Sequence, residues 1–143
     1  MRRLFQAAII IFVALTGSSR ADPIARVQDP GKFCEDLFAN ISPFKSGEIA
    51  RKVAAEIGKP EVAQTLENAM KLLDDKKIDF SKKVIDKEFS NALRQIVYYA
   101  YVENIGFLYF RSNFKMTSTG WILANFNFKS ETTELFPKDF VEP

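Results

Sequence analysis

The sequence has 143 residues, 20 of them basic and 18 acidic, for a formal charge of +2, and it has no histidine. A chain of this length fits one domain with its own hydrophobic core. The absence of histidine excludes Ser–His–acid and Cys–His nucleophile systems, His-bearing zinc sites and imidazole acid–base catalysis. We predict no metal site and no cofactor.

The first 21 residues have the three parts of a cleavable export signal. Arg2 and Arg3 precede an uncharged apolar stretch, and Ser19 and Ala21 are the small residues that a signal peptidase reads. About a dozen apolar residues are too few for the roughly 20 that cross a bilayer. We therefore predict cleavage after Ala21, by the secretory or the twin-arginine route. The product is expected to be periplasmic or secreted, with no stable membrane insertion after cleavage.

Removal of this segment changes the charge of the protein. Residues 1–21 hold three basic residues and no acidic ones, so residues 22–143 carry 17 basic and 18 acidic residues, a formal charge of −1. A protein without a basic excess lacks the usual electrostatic signature of nucleic-acid binding. We predict that residues 22–143 form a single domain and that nucleic acid is not its partner.

The first predicted helix begins at Asp29 and Pro30. An acidic residue caps a helix N-terminus, and proline suits the first helical position because no N–H is needed there. Pro43 is expected to stop this helix. The only cysteine, Cys34, falls within the apolar stripe of the helix. We predict a buried thiol rather than one that pairs between chains.

Two more helices are predicted in the N-terminal half. Ser46 is expected to cap the second helix and Gly58 to end it, and Pro60 opens a third, which reaches Leu73. The acidic stretch that follows, 74–79, lacks the glycine and the bidentate glutamate of a calcium loop. We interpret this stretch as a solvated helix end.

Beyond residue 79 the pattern becomes typical of strands, with many aromatic and β-branched residues. A short strand is predicted at Val84–Glu88, and longer ones at Leu93–Glu103, Phe107–Thr117 and Trp121–Lys129. Helices followed by a meander of antiparallel strands indicate an α+β class. We expect about three N-terminal helices packed on a C-terminal antiparallel sheet of three to four strands.

Gly106 and Gly120 suit the left-handed position of three-residue hairpin loops. Pairing outward from these loops places Val102 opposite Leu108 and Met116 opposite Ile122. One sheet face then gathers the aliphatic and phenylalanine side chains. The other face gathers residues that tolerate half-exposure and form directed hydrogen bonds. The candidate binding residues on that face are Tyr99, Tyr101, Tyr109, Arg111, Trp121 and Asn125.

Three stretches of the C-terminal half carry a resemblance. The segment 109–115, the pair Gly120-Trp121 and the segment 125–128 resemble the C-terminal hairpin of small exported bacterial proteins. Their arrangement is similar to the nuclear-transport-factor-like, or cystatin-like, superfamily. The resemblance implies a curved sheet with helices in its cup. It also implies either ligand binding and dimerisation through the sheet, or isomerase and dehydratase activity.

Two function hypotheses follow. The first is an exported binding or assembly domain that uses the polar aromatic face for a small-molecule ligand or a second copy of itself, as a homodimer. The second is a His-free isomerase or dehydratase. In it Tyr98, or Tyr99 if the faces are reversed, polarises a carbonyl, and Asp86 or Glu88 is a base whose pKa burial raises. We favour the first, because the sequence shows no paired catalytic constellation, and we assign no catalytic residue.

Overall fold

The computed structural model describes residues 27–130, so the predicted signal segment and the C-terminal segment 131–143 lie outside the described residues. The elements in chain order are α1 (Pro30–Phe38), α2 (Ser46–Ile57), α3 (Ala63–Met70), β1 (Ile78–Phe89), β2 (Leu93–Val102), β3 (Gly106–Thr117) and β4 (Gly120–Lys129). Short 3₁₀ turns, Pro60–Val62 and Lys71–Leu73, flank α3. None of the helices within 27–130 has the length and apolar character needed to span a membrane.

The predicted α+β class is confirmed. The four strands form one antiparallel sheet in the order β1-β2-β3-β4, and the helices precede it in the chain. The helices pack on one face of this sheet, where Phe38 stacks on Tyr98 with ring centres 4.4 Å apart. The sheet is not strongly curled, in contrast to the curved sheet that the resemblance implies.

Helix α1 begins as predicted and ends early. The Asp29 carboxylate accepts a hydrogen bond from the Gly31 N–H at 2.8 Å, which satisfies one of the free donors of the first turn. The helix ends at Phe38, well before Pro43, which follows a cis Ser42–Pro43 peptide in the connecting loop. The early end lets the loop residue Ile41 reach the core, where it is buried.

The N-terminus of α2 is capped from a distance, which corrects the prediction for Ser46. Ser46 is the first helical residue, and the cap position belongs to Lys45, whose side chain makes no capping bond. The Asp74 carboxylate accepts hydrogen bonds from the Ser46 N–H at 2.6 Å and from its hydroxyl at 2.8 Å. Gly58 ends the helix in a left-handed conformation with φ 74°, as predicted.

The β2–β3 hairpin has a different register from the predicted one. Val102 pairs with Gly106 and not with Leu108, so every partner is displaced by two residues. The loop closes early because Asn104 adopts a positive φ of 64° and the Ile105 N–H donates to the Val102 carbonyl at 3.1 Å. An even displacement keeps each side chain on its predicted face, since side chains alternate with a period of two.

The β3–β4 hairpin departs from the prediction only near its loop. Met116 pairs with Trp121 and not with Ile122, because two residues rather than three form the loop. A register shift between Asn113 and Phe114 then restores the predicted pairing. The restored pairs are Asn113 with Asn125, Ser112 with Phe126, Arg111 with Asn127 and Phe110 with Phe128. In the part of β4 next to the loop, each side chain therefore lies on the sheet face opposite to the predicted one.

Strand β1 is longer than the predicted Val84–Glu88. It spans twelve residues, and two register shifts against β2 interrupt its alternation, which hides the strand period from the sequence. The core lies between the sheet and the helices and centres on Phe110. This ring is buried against those of Phe38 and Phe44, with centres 5.2 and 6.2 Å away.

Candidate functional site on the outer sheet face

The outer face is the sheet face turned away from the helices. The observed register arranges its side chains in rows that cross the strands. The rows are Phe80–Tyr101–Phe107, Lys82–Tyr99–Tyr109–Lys129, Ile85–Val97–Arg111–Asn127, Lys87–Gln95–Asn113–Asn125 and Phe89–Leu93–Lys115–Ile122. The first two rows are aromatic and the next two are largely polar.

An aromatic cluster, defined as Phe80, Tyr99, Tyr101, Phe107 and Tyr109, occupies one end of the outer face. Ring centres lie 5.3 Å apart for Phe80 and Tyr99, and 5.2 Å apart for Tyr101 and Phe107. Tyr99 and Tyr109 stack side by side at 6.2 Å. Such contacts between rings restrict their rotation. Phe80 and Phe107 nevertheless remain 43% and 48% exposed, so the cluster presents apolar surface to the solvent.

The outer face is also cationic. Its rows contain the cations Lys82, Lys87, Arg111, Lys115 and Lys129, and no acidic residue. Lys82 and Lys129 stand at opposite ends of the row through Tyr99 and Tyr109, about 14 Å apart at the usual strand spacing. Partial burial lowers the pKa of Arg111, but a guanidinium stays protonated in proteins.

Amide side chains order the polar rows. The Gln95 side chain is buried and donates through Nε2 to Asn113 Oδ1 at 3.1 Å. In the orientation of the Asn127 amide that satisfies its neighbours, its oxygen accepts from Arg111 Nη2 at 3.2 Å. The guanidinium is thus held in place beside the aromatic cluster, and its position is set before any partner arrives.

Five of the six predicted binding residues share the outer face. Tyr99, Tyr101, Tyr109, Arg111 and Asn125 all lie in its rows.

Trp121 does not lie there, which is a correction. The short loop and the register shift turn its side chain toward the helix side, where the ring packs against the core. Its carbonyl accepts a hydrogen bond from the Val27 N–H at 2.9 Å.

Several aromatic residues and lysines of the face were not predicted from the sequence, among them Phe80, Lys82, Phe107 and Lys129. Phe80 and Lys82 belong to the part of β1 that was not predicted as strand, and Phe107 borders a loop. Lys129, the last residue of β4, was assigned to no face. Phe80 and Lys82 are two residues apart, as side chains on one face of a strand are, and this spacing could have predicted that β1 begins earlier.

Three residues of the enzyme hypothesis, Tyr98, Asp86 and Glu88, lie on the helix-facing side of the sheet, whereas its alternative, Tyr99, lies on the outer face. Asp86 forms two hydrogen bonds with Arg94, at 2.8 and 3.0 Å, and Arg94 lowers the pKa of this carboxyl. A general base needs the opposite shift. Burial raises the pKa of Tyr98, whose ring stacks on Phe38 in the core. Glu88 is exposed, opposite Arg94 in the neighbouring strand.

Comparisons of the chain with protein-family models, with curated proteins and with solved structures found no match. Within residues 27–130, no three cysteine or carboxylate side chains come together as a metal site would require.

Proposed function

We propose that the protein is an exported, non-catalytic binding domain that uses the outer sheet face to bind an acidic segment of another polypeptide. The observation that carries the proposal is an exposed aromatic cluster bordered by cations, with no acidic residue in its rows. Tyrosine and arginine are enriched among the residues that dominate binding energy at protein interfaces. Cleavage after Ala21 and a periplasmic or secreted location belong to this proposal, as does the relationship to the nuclear-transport-factor-like superfamily.

The positive charge of the outer face favours some binding partners over others. A second copy docked face to face would bring two sets of five cations together, and like charges opposed across an interface cost several kcal/mol. An acidic partner instead gains steering toward the face and ion pairs at its rim. The aromatic cluster then supplies apolar contact, and the amides of the polar rows supply directed hydrogen bonds.

The test is a titration of residues 22–143 with a fluorescent peptide of alternating glutamate and phenylalanine, followed by anisotropy and by amide NMR shifts. We expect binding, with shifts at Tyr99, Tyr109 and Arg111. The double variant Lys82→Glu/Lys129→Glu should weaken the affinity about tenfold or more, because it reverses the charge at both ends of the central row. Arg51→Glu/Lys59→Glu, an equal change of charge on exposed helix-layer residues, should leave the affinity unchanged.

Three results would contradict the proposal. One is binding of a single-stranded dT15 oligonucleotide at the face with no binding of the acidic peptide. Another is concentration-dependent self-association that the lysine reversal abolishes. The third is equal loss of peptide binding in both double variants, which would indicate a response to net charge alone.

A further inference from the structure

An apolar groove lies on the helix-facing side of the sheet, apart from the outer face. It has a volume of about 740 Å³ and runs between the 3₁₀ turn after α3 and the end of β4. Its apolar lining includes Leu72, Leu73, Ile105, Leu108 and Phe128. Neither the aromatic cluster nor a predicted binding residue contributes to it.

The groove is incompletely covered by the described residues. Leu72 is 84% exposed and Ile105 is 44% exposed, and both line the groove. Exposed large aliphatic side chains around a concavity are typical of a surface on which further apolar groups pack. Lys76 lines the same groove, so a segment with acidic residues would find an ion-pair partner at its rim.

The chain supplies a segment with this chemistry next to the groove. Ser130, the last described residue, lines the groove, and residues 131–143 follow it. This segment contains four acidic residues against one lysine, together with the adjacent apolar pair Leu135 and Phe136. Five residues of extended chain span at most about 17 Å, so Leu135 is within reach of the groove from Ser130.

We propose that segment 131–143 folds back onto its own domain, with Leu135 and Phe136 in the groove and an acidic side chain paired with Lys76. The apolar pair covers the exposed side chains of Leu72 and Ile105. The carboxylates remain at the rim, where they stay hydrated and contribute less than the buried rings. Lys76 belongs to the groove alone, whereas Lys129 lines the groove and also lies in an outer-face row, so the interaction that defines this proposal is the one with Lys76 and the apolar lining.

The test uses residues 22–143 with labelled methyl groups. We expect nuclear Overhauser contacts between the Phe136 ring and the methyls of Ile105 and Leu108. Leu135→Ser/Phe136→Ser should shift the methyl resonances of these two residues and lower the melting temperature by roughly 5 °C, because the groove loses its cover. Val141→Ser, an apolar-to-polar change elsewhere in the segment, is the matched control and should leave the methyl resonances in place.

Contacts from Phe136 to Val97 or Tyr109 would overturn the proposal, because they would place the segment on the outer face. Methyl resonances that are unchanged in the double variant would overturn it as well. Lys76→Glu provides a second arm, since it should weaken the Overhauser contacts while acidic-peptide binding at the outer face persists. Failure of the groove proposal is thereby distinguishable from failure of the proposed function.

Discussion

Burial determines the chemistry of the single thiol. Cys34 is fully buried beneath the sheet, and burial raises its pKa to about 11 even though a hydrogen bond with Ser112 acts in the opposite direction. The thiolate is the reactive form of cysteine, so the folded protein holds this residue in its unreactive form at neutral pH. The prediction that Cys34 belongs to the core is confirmed.

We expect the folded protein to react with a disulfide reagent such as Ellman's reagent at pH 8 at least about a hundredfold more slowly than the unfolded chain. The raised pKa lowers the thiolate fraction by roughly that factor, and burial slows access further. Absorbance at the thionitrobenzoate maximum, with and without guanidinium chloride, measures both rates. Complete modification of the folded protein within minutes would contradict the expectation.

Asp86 belongs to an ion-pair cluster that joins two strands and the start of a helix. It pairs with Arg94 and with Lys83, and Arg94 also approaches Asp29 at the start of α1, at 3.5 Å. Arg94 is the largest cause of the lowered pKa of Asp86. A carboxyl whose pKa is lowered by folding stabilises the protein above its unfolded pKa, and this contribution disappears as the pH falls through the folded value.

Asp86→Asn is therefore expected to lower the free energy of unfolding at pH 7, and the difference from the wild type should shrink below about pH 4. Urea unfolding followed by Trp121 fluorescence between pH 3 and pH 7 measures it. Asp36→Asn is the control, because its ion pair with Lys32 is mostly exposed. A difference that stays constant over this pH range would show that the ion pair is not the cause.

At the level of elements, local signals predicted boundaries well and register less well. The start of α1 at Asp29, its capping residue, and the end of α2 at Gly58 depend on a few adjacent residues, which the sequence displays directly. Register depends on how many residues a loop uses. In the β2–β3 hairpin, the positive φ of Asn104 moves the loop toward β2 and displaces the strand register by two residues. In the β3–β4 hairpin, the loop has two residues instead of three, and a register shift near Asn113 restores the predicted pairing beyond it.

The misplacement of Trp121 has the same origin. A single extra residue in a strand reverses the faces of everything between it and the loop, and no local pattern marked the shift near Asn113. The other five predicted residues lie on the far side of this shift or on other strands, so their faces were unaffected. The candidate site was thus largely predictable, and its aromatic edge in β1 was not.

The capping of α2 by Asp74 illustrates a contact that local sequence does not reveal, since the two residues are 28 positions apart. Asp74→Ala should lower the free energy of unfolding by about 1–2 kcal/mol, because the Ser46 N–H and hydroxyl lose their acceptor. Asp75→Asn, at the exposed neighbour with a φ of 61°, keeps a residue type that tolerates the left-handed conformation and should change it by less than about 0.5 kcal/mol. Chemical denaturation measures both values, and equal losses would argue against the cap.

At the level of the whole molecule, the net charge does not show how unevenly the charged residues are distributed over the surface. Residues 22–143 are close to neutral, yet the rows of the outer face hold five cations and no acid. The prediction that nucleic acid is not a partner was made from the total charge, which does not reveal this uneven distribution. The register was needed, because it is the pairing of strands that brings Lys82 and Lys129 into one row.

We predict that the protein of residues 22–143 binds a cation-exchange resin at pH 7 although its formal charge is negative. Lys82→Glu/Lys129→Glu should elute at clearly lower salt than Arg51→Glu/Lys59→Glu, which has the same net charge. The reason is that the local cationic patch on the outer face, and not the net charge of the protein, controls adsorption to a charged surface. Identical elution positions for the two variants would contradict a functional patch.

The interrupted edge of β1 has a consequence for how the molecule behaves at high concentration. A regular edge strand offers a row of free backbone groups that can recruit another chain and begin aggregation. Two register shifts break that row in β1, and Lys82, Lys83 and Lys87 place charges along it. The sheet can therefore leave an aromatic face open to a partner while its β1 edge resists pairing with another chain.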